Sequence, residues 1–260
     1  MSAKFSFVII GSGNIAWQMS KKLKKEKQQI LQVYARKLAS AKKLAAFHKC
    51  SYTSSLKKIN KEADVYLFAI SDDVIEEVAD KLQYLNSNKS IFIHTSGSIS
   101  SNIFENTFEK YAVLWPPQSI NKEVKIDFSK VPLCITANEK ALATAKKVAK
   151  LLSSKRYLLD DEQKKRLHLA AVFANNFSNH MAAVAENICK ENDLDFKILH
   201  PILKETFDKI IKVGPTAAQT GPASRADQKT MKQHEALLKE HFTLQKIYSL
   251  ISKDIMDNHS

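Results

Sequence analysis

Glycine is scarce in this chain, five residues in 260, and two of the five stand one residue apart in Gly11-Ser12-Gly13-Asn14-Ile15-Ala16. The stretch matches the G-x-G-x-x-G/A pattern, in which each small residue has a physical task. The first allows a tight strand-to-helix turn. The second lets backbone approach a diphosphate, and the third, here Ala16, lets helix and strand pack closely. A helix that starts at such a turn offers unpaired N–H groups and the positive end of its dipole to an anion. Gly11, Ser12, Gly13, Asn14 and Ile15 are therefore candidate contacts for the diphosphate bridge of a dinucleotide.

A second position sorts one dinucleotide from another. A site selective for NAD usually places Asp or Glu at the end of the second strand, on the ribose 2′-hydroxyl. Here that segment reads Tyr34-Ala35-Arg36-Lys37, with no acid. The guanidinium fork of Arg36 suits a 2′-phosphate, so the expected cofactor is NADP, as NADPH in its reduced form. Only four of the 40 basic residues are arginine, which makes each one worth inspecting. Ser71 and Asp72, and His94 and Ser96, follow or close later strands, where ligands of such folds gather. Their polar character suits ribose or nicotinamide, although Ser71 or Asp72 equally suits a helix cap.

The segment from Arg166 to His180 carries further chemistry. At about 100° per residue, Phe173, Phe177, Met181, Val184 and Ile188 share one face. His168, Asn175 and Asn179 share the opposite face, among Ala171, Val172 and Ala182. A merely solvated face in this chain would carry lysine and glutamate, so this one reads as a cleft wall. Histidine ordinarily titrates near neutral pH, which makes His168 the candidate proton donor, with Asn175 orienting a substrate. Farther on, Gln219 to Asp227 holds a Gly-Pro turn. Arg225 is the candidate anchor for a carboxylate or phosphate, or pairs with Asp227; Asp227 or Ser224 suits a cap on the following helix.

The elements that must position these residues are legible in the hydrophobic pattern. Phe5–Ile10, Ile30–Ala35, Asp64–Ile70 and Ser90–His94 are β-prone apolar runs, followed by shorter ones at Ala112–Leu114 and Val131–Ile135. Helical character falls between them, from Asn14 to about Lys25, Ala39 to Phe47, Asp73 to Leu85 and Lys140 to Leu152. Strands alternating with helices imply parallel crossovers. After about residue 158 no convincing strand remains, and long helices are expected over 161–191, 196–212, 227–240 and 243–257. The expected fold is an α/β Rossmann-type domain over 1–157 followed by an all-α domain over 158–260.

Bulk properties bound the function. The formal net charge is +13, which invites a polyanion reading. Yet the lysines are spread over helices, with no helix-turn-helix or aromatic-interleaved basic motif, so nucleic acid is not the expected partner. Cys50, Cys134 and Cys189 lie far apart without C-x-x-C spacing, which fits a reducing compartment and neither a disulfide framework nor a zinc site. No run reaches about 18 apolar residues, and Phe5–Ile10 is too short for a signal-peptide core. A cytoplasmic protein with a small-molecule substrate, no membrane span and no metal is expected.

To the glycine turn can be added Ala35-Arg36, Ser71-Asp72-Asp73-Val74-Ile75, His94-Thr95-Ser96-Gly97-Ser98 and Pro116-Pro117-Gln118-Ser119. His168-Leu169-Ala170-Ala171-Val172-Phe173-Ala174-Asn175-Asn176 and Thr220-Gly221-Pro222 through Asp227 complete the set. On these residues the whole chain resembles the bacterial Rossmann-like proteins with a C-terminal helical domain of unknown function, described as NADP-dependent oxidoreductases. More distantly it is similar to pyrroline-carboxylate reductase and to the hydroxyacid and 6-phosphogluconate dehydrogenases. The resemblance implies hydride transfer between NADP and a small carbonyl or imine, and a homodimer formed through the helical domain. A non-catalytic NADP sensor or scaffold is the alternative. Two positions depart from the family pattern: Trp115 stands where His is usual, and Ala226 where Gly is usual.

Overall fold

The structure, a computed structural model, describes residues 4–259. The chain divides into two compact units, one ending at Ser178 and the other starting at Asn179. Eight strands lie in the first: β1 (Ser6–Ile10), β2 (Gln29–Tyr34), β3 (Ser51–Thr53), β4 (Val65–Phe68), β5 (Ile91–His94), β6 (Tyr111–Trp115), β7 (Leu133–Ala137) and β8 (Arg156–Leu158). They form one sheet in the order β3-β2-β1-β4-β5-β6-β7-β8. Every neighbouring pair is parallel except β6 and β7. Because the chain passes from β1 outward to β2 and then returns to β4 on the other side, the strand order reverses at β1. In open α/β sheets the crevice beyond the carboxyl ends at such a point is where ligands bind.

Four helices belong to the crossovers: α1 (Asn14–Lys25), α2 (Leu38–His48), α3 (Ile75–Lys81) and α4 (Glu139–Leu152). The strands alternate between two buried faces, as the period of two requires. Phe7, Ile9, Val65, Leu67, Ile91 and Ile93 pack with Met19 and Leu23 of α1 and with Ala145 and Val148 of α4. Val8, Ile10, Tyr66, Phe68 and Phe92 pack on the opposite face with Ile75 and Ala79 of α3 and with Phe104 and Phe108. Burial on both faces accounts for the near-continuous apolar runs.

Local chemistry adjusts the expected boundaries. The helical stripe over Asp73–Leu85 breaks into 3-10 turns at Asp72–Val74 and Gln83–Leu85 around α3. Strands β3 and β8, three residues each, are too short to leave a periodic signal. After β8 come α5 (Asp161–Ala171), a π-helical stretch (Val172–Phe177), α6 (Ser178–Glu191), α7 (His200–Val213), α8 (Pro215–Ala218), α9 (Gln228–Leu237) and α10 (Phe242–His259). Helix α5 opens on a full capping box, with Asp160 accepting from the Gln163 N–H while Gln163 accepts from the Asp160 N–H. Helix α9 is capped by Asp227, which accepts from the Thr230 N–H at 3.1 Å. Among the described residues, no helix is long and apolar enough to cross a membrane.

Candidate functional site

At the carboxyl end of β1 the backbone turns on Gly11, whose φ is +122°, a conformation open to glycine and strained for other residues. Its N–H is held by the Tyr34 carbonyl at 2.8 Å. A Cβ on Gly11 would lie 2.1 Å from the Ala69 carbonyl oxygen, so the residue is fixed by the close passage of β4. Gly13 differs: it is the N-cap of α1, and a Cβ there would meet nothing within 4 Å. No side chain caps the first turn of α1 and no acid sits in it, leaving its amides facing outward. Ala16 is fully buried against the sheet. The Asn14 side chain is committed elsewhere, accepting from the Lys122 N–H at 3.2 Å.

These residues border a cleft of about 850 Å³. Gly11, Ser12, Gly13, Asn14 and Ile15 form one wall, Tyr34 to Lys37 and Ser40 a second, and Ala69 to Ser71 with Val74, Val78 and Thr95 a third. The volume is ample for a dinucleotide. Arg36 makes no hydrogen bond or ion pair among the described residues, and Lys37, Ser40 and Lys81 line the same end of the cleft. Glu77, the acid there, is engaged by Lys81, whose hydrogen bond and charge hold its carboxyl below the usual range. An uncapped helix start at one end and a cationic mouth at the other fit a phosphorylated dinucleotide. Arg36 was visible as the basic residue just beyond β2; Ser40 carries only the signal of lying one helical turn after it.

Of the other strand-end residues, Ser71 and Thr95 line the cleft, whereas Asp72, His94 and Ser96 do not. Asp72 accepts a hydrogen bond from the Ser98 hydroxyl. His94 is fully buried: Nε2 donates to the Ser100 carbonyl and Nδ1 accepts from the Ser96 N–H, each at 3.3 Å. Burial first, and then the charge of Lys164, lowers its pKa from 6.5 to about 4, so the imidazole is neutral.

The loop that leaves the cleft at Thr95 reaches Gly97 two residues later, beneath α5. There His168 lies against Trp115, ring centroids 5.5 Å apart and planes at 57°. A Cβ on Gly97 would sit 2.5 Å from Cε2 of Trp115 and 2.6 Å from Cδ2 of His168. One turn earlier on α5, Lys164 is buried; its Nζ donates to the Ile99 carbonyl and lies 3.1 Å from Asp161. Asp161 in turn accepts from the N–H and hydroxyl of Ser101 at 2.9 and 2.6 Å. Loop and helix are thus riveted together around His168, whose two ring nitrogens have no partner among the described residues.

Asn175 falls in the π-helical stretch, exposed, and bonds only Asn176, at 3.5 Å. A π turn inserts one residue, so side chains beyond it are rotated by roughly 100° relative to an unbroken α-helix. The single face expected for His168, Asn175 and Asn179 does not carry through it. Arg225 lies in the second unit, at the end of a 3-10 turn over Ala223–Arg225. Among the described residues no group of three or more His, Cys, Asp or Glu is placed to hold a metal ion.

Comparison with known proteins agrees with this geometry. Residues 6–96 match the family model described as NADP oxidoreductase, coenzyme F420-dependent, and residues 131–255 match a domain of unknown function, DUF2520. No curated protein matches the chain. The crystal structure of BF3122 from Bacteroides fragilis, assigned as an NADP oxidoreductase, is 36% identical; the match covers 98% of each chain with a TM-score of 0.88. Protein TM1727 from Thermotoga maritima is 25% identical over 97% of this chain and 98% of its own, with a TM-score of 0.76. An imine reductase from Myxococcus stipitatus, in complex with NADP+, shares the fold at 14% identity, covering 97% and 93%, with a TM-score of 0.68. The chain belongs to the family of Rossmann-like NADP oxidoreductases that carry this C-terminal domain, and is a nicotinamide-dependent oxidoreductase.

Proposed function

We propose that the protein transfers hydride between NADP and a small carbonyl or imine substrate. The observation that carries this reading is the path of one loop: Thr95 borders the dinucleotide cleft, and Gly97, two residues on, supports His168 and Trp115. When bound, NADPH supplies the hydride; the protein's own task is to bind, orient and provide the proton.

The amides after Gly13 hold the diphosphate, and Arg36, with Lys37 and Ser40 beside it, holds the 2′-phosphate. Charge-assisted hydrogen bonds of this kind contribute about 1.5–3 kcal/mol. His168 delivers the proton as the substrate is reduced, and Asn175 is assigned to orient the substrate. The helical residues pair with a second copy of the chain. Support for that comes from the unit starting at Asn179, where Cys189, Ala223 and Met231 are the buried apolar side chains among the described residues. Helix α7 buries none, while Ile202, Phe207 and Ile211 stand 46 to 84% exposed. So thin a core does not support an independent helical unit.

The test is calorimetric titration with NADPH and NADH, then NADPH absorbance with keto acids, aldehydes, ketones and cyclic imines. Tighter NADPH binding that is lost in Arg36→Glu, together with turnover abolished in His168→Ala, is expected. Equal affinity for both coenzymes would remove NADP selectivity. Tight NADPH binding without turnover of any substrate class would leave the sensor reading.

A further inference from the structure

We infer that the C-terminal unit holds a binding site of its own, a pocket that takes a neutral, largely hydrocarbon molecule bearing a single alcohol or carbonyl oxygen. No cofactor and no residue assigned to hydride transfer enters into it.

Within the unit starting at Asn179, helices α6, α9 and α10 and the Gly-Pro turn border a pocket of about 360 Å³, at the low end of the sizes that hold small ligands. Val184 and Ile188 of α6, Leu238 of α9 and Ile247 and Ile255 of α10 give it aliphatic walls. The turn at Gly221 adds a stretch of bare backbone: its φ is +114°, and nothing lies within 4 Å of where its Cβ would stand. No Asp, Glu, Lys or Arg lines the pocket, in a chain where 26% of residues are charged. An ionised group buried there without a partner would be costly, so the occupant is neutral.

One buried hydroxyl belongs to this pocket. Ser252, on α10, is 8% exposed, lines the pocket and makes no hydrogen bond among the described residues. The neighbouring hydroxyls are committed elsewhere: that of Ser249 donates to Glu235 at 2.6 Å, and that of Tyr248 is bonded to Nδ1 of His234 at 2.9 Å. A buried hydroxyl left without a partner costs about 1–3 kcal/mol. A water molecule would find few further partners among aliphatic side chains. An apolar side chain from a second copy of the chain would fill the walls and still leave the hydroxyl unmet. A hydrocarbon body with one oxygen meets both demands, since Ser252 can donate to a carbonyl, or either donate to or accept from an alcohol.

The chain has five methionines; Met181 lines the pocket and Met19 lies in the first unit, so ¹³C-methyl methionine labelling gives a reporter and a control. The Met181 signal is assigned with Met181→Leu. The full-length protein is titrated with trans-4-tert-butylcyclohexanol and, separately, with trans-4-tert-butylcyclohexanecarboxylate, the same hydrocarbon ending in a charge. The alcohol is expected to shift the Met181 methyl saturably and leave Met19 in place, and the carboxylate to bind at least roughly tenfold more weakly. Ser252→Ala, which keeps a good helix former in α10, should bind the alcohol roughly tenfold more weakly, the loss of one hydrogen bond. No Met181 shift with the alcohol, a carboxylate of equal affinity, or unchanged affinity in Ser252→Ala overturns the inference. So does a Met181 signal that moves on dilution of the protein and not with the alcohol, which would make a second copy the occupant.

Discussion

The side chains of Trp115 and His168 meet above Gly97 so closely that no β-carbon fits beneath them. Substituting Gly97→Ala puts a methyl within 2.7 Å of both rings, so one or both rings must shift. Overpacking of this kind costs about 1–3 kcal/mol. We expect a lower denaturation midpoint together with a loss of turnover larger than the loss of NADPH affinity, since the rings are displaced while the cleft walls are not. Unchanged midpoint and turnover would mean that the rings move aside freely.

The two glycines of the first turn should separate folding from binding. Gly11→Ala combines a positive φ with a backbone clash at the Ala69 oxygen, and is expected to destabilise by more than about 3 kcal/mol or to prevent folding. Gly13→Ala meets open space, so its stability should stay within about 0.5 kcal/mol. Its methyl nevertheless stands in the cleft, and NADPH affinity should fall at least roughly tenfold, about 1.4 kcal/mol. Thermal melts and calorimetric titrations of both variants check the contrast.

Ala226 has φ of +52°, in the left-handed region, directly before the Asp227 cap of α9. A residue with a β-carbon is strained there by about 1 kcal/mol relative to glycine. Ala226→Gly should therefore raise the stability of the protein only slightly, by up to about 0.6 kcal/mol once the larger entropy of an unfolded glycine is subtracted. A lower denaturation midpoint would show that Ala226 contributes packing that outweighs its strain.

His94 predicts acid sensitivity. Its folded pKa of about 4 lies below the ordinary 6.5, so as the pH falls through that window the unfolded chain takes up a proton that the folded protein refuses. Stability contributed by the neutral imidazole is full above 6.5, declines toward 4 and levels off below it. At about 1.4 kcal/mol per pH unit the whole decline is about 3 kcal/mol. Urea denaturation at pH 7 and pH 4.5 should show it, and the slope should shrink in His94→Gln. An identical slope in that variant would place the acid sensitivity elsewhere.

Pairing through the helical residues is expected to appear as a dimer in sedimentation equilibrium. Ile202→Glu with Ile211→Glu on α7 should shift the protein to monomer. A monomeric wild-type chain would require another explanation for the exposed apolar side chains of α7.

What could be read from the order of residues was whatever depends on local spacing. Near-continuous apolar runs, the glycine turn and the absence of an acid after β2 are properties of neighbouring residues, so the sheet, the start of α1 and Arg36 were legible without coordinates. Tertiary packing decided the rest. Strands β3 and β8 exist because the edges of a sheet already built accept short segments. The helical face expected around His168 is turned by a π stretch that no periodicity announced, and His94 is drawn into the core, away from the cleft, by hydrogen bonds to its own loop. The meeting of Gly97, Trp115 and His168 joins three stretches far apart in the chain. No spacing rule brings them together; only the register of β5 beside β6, with α5 laid over their ends, does.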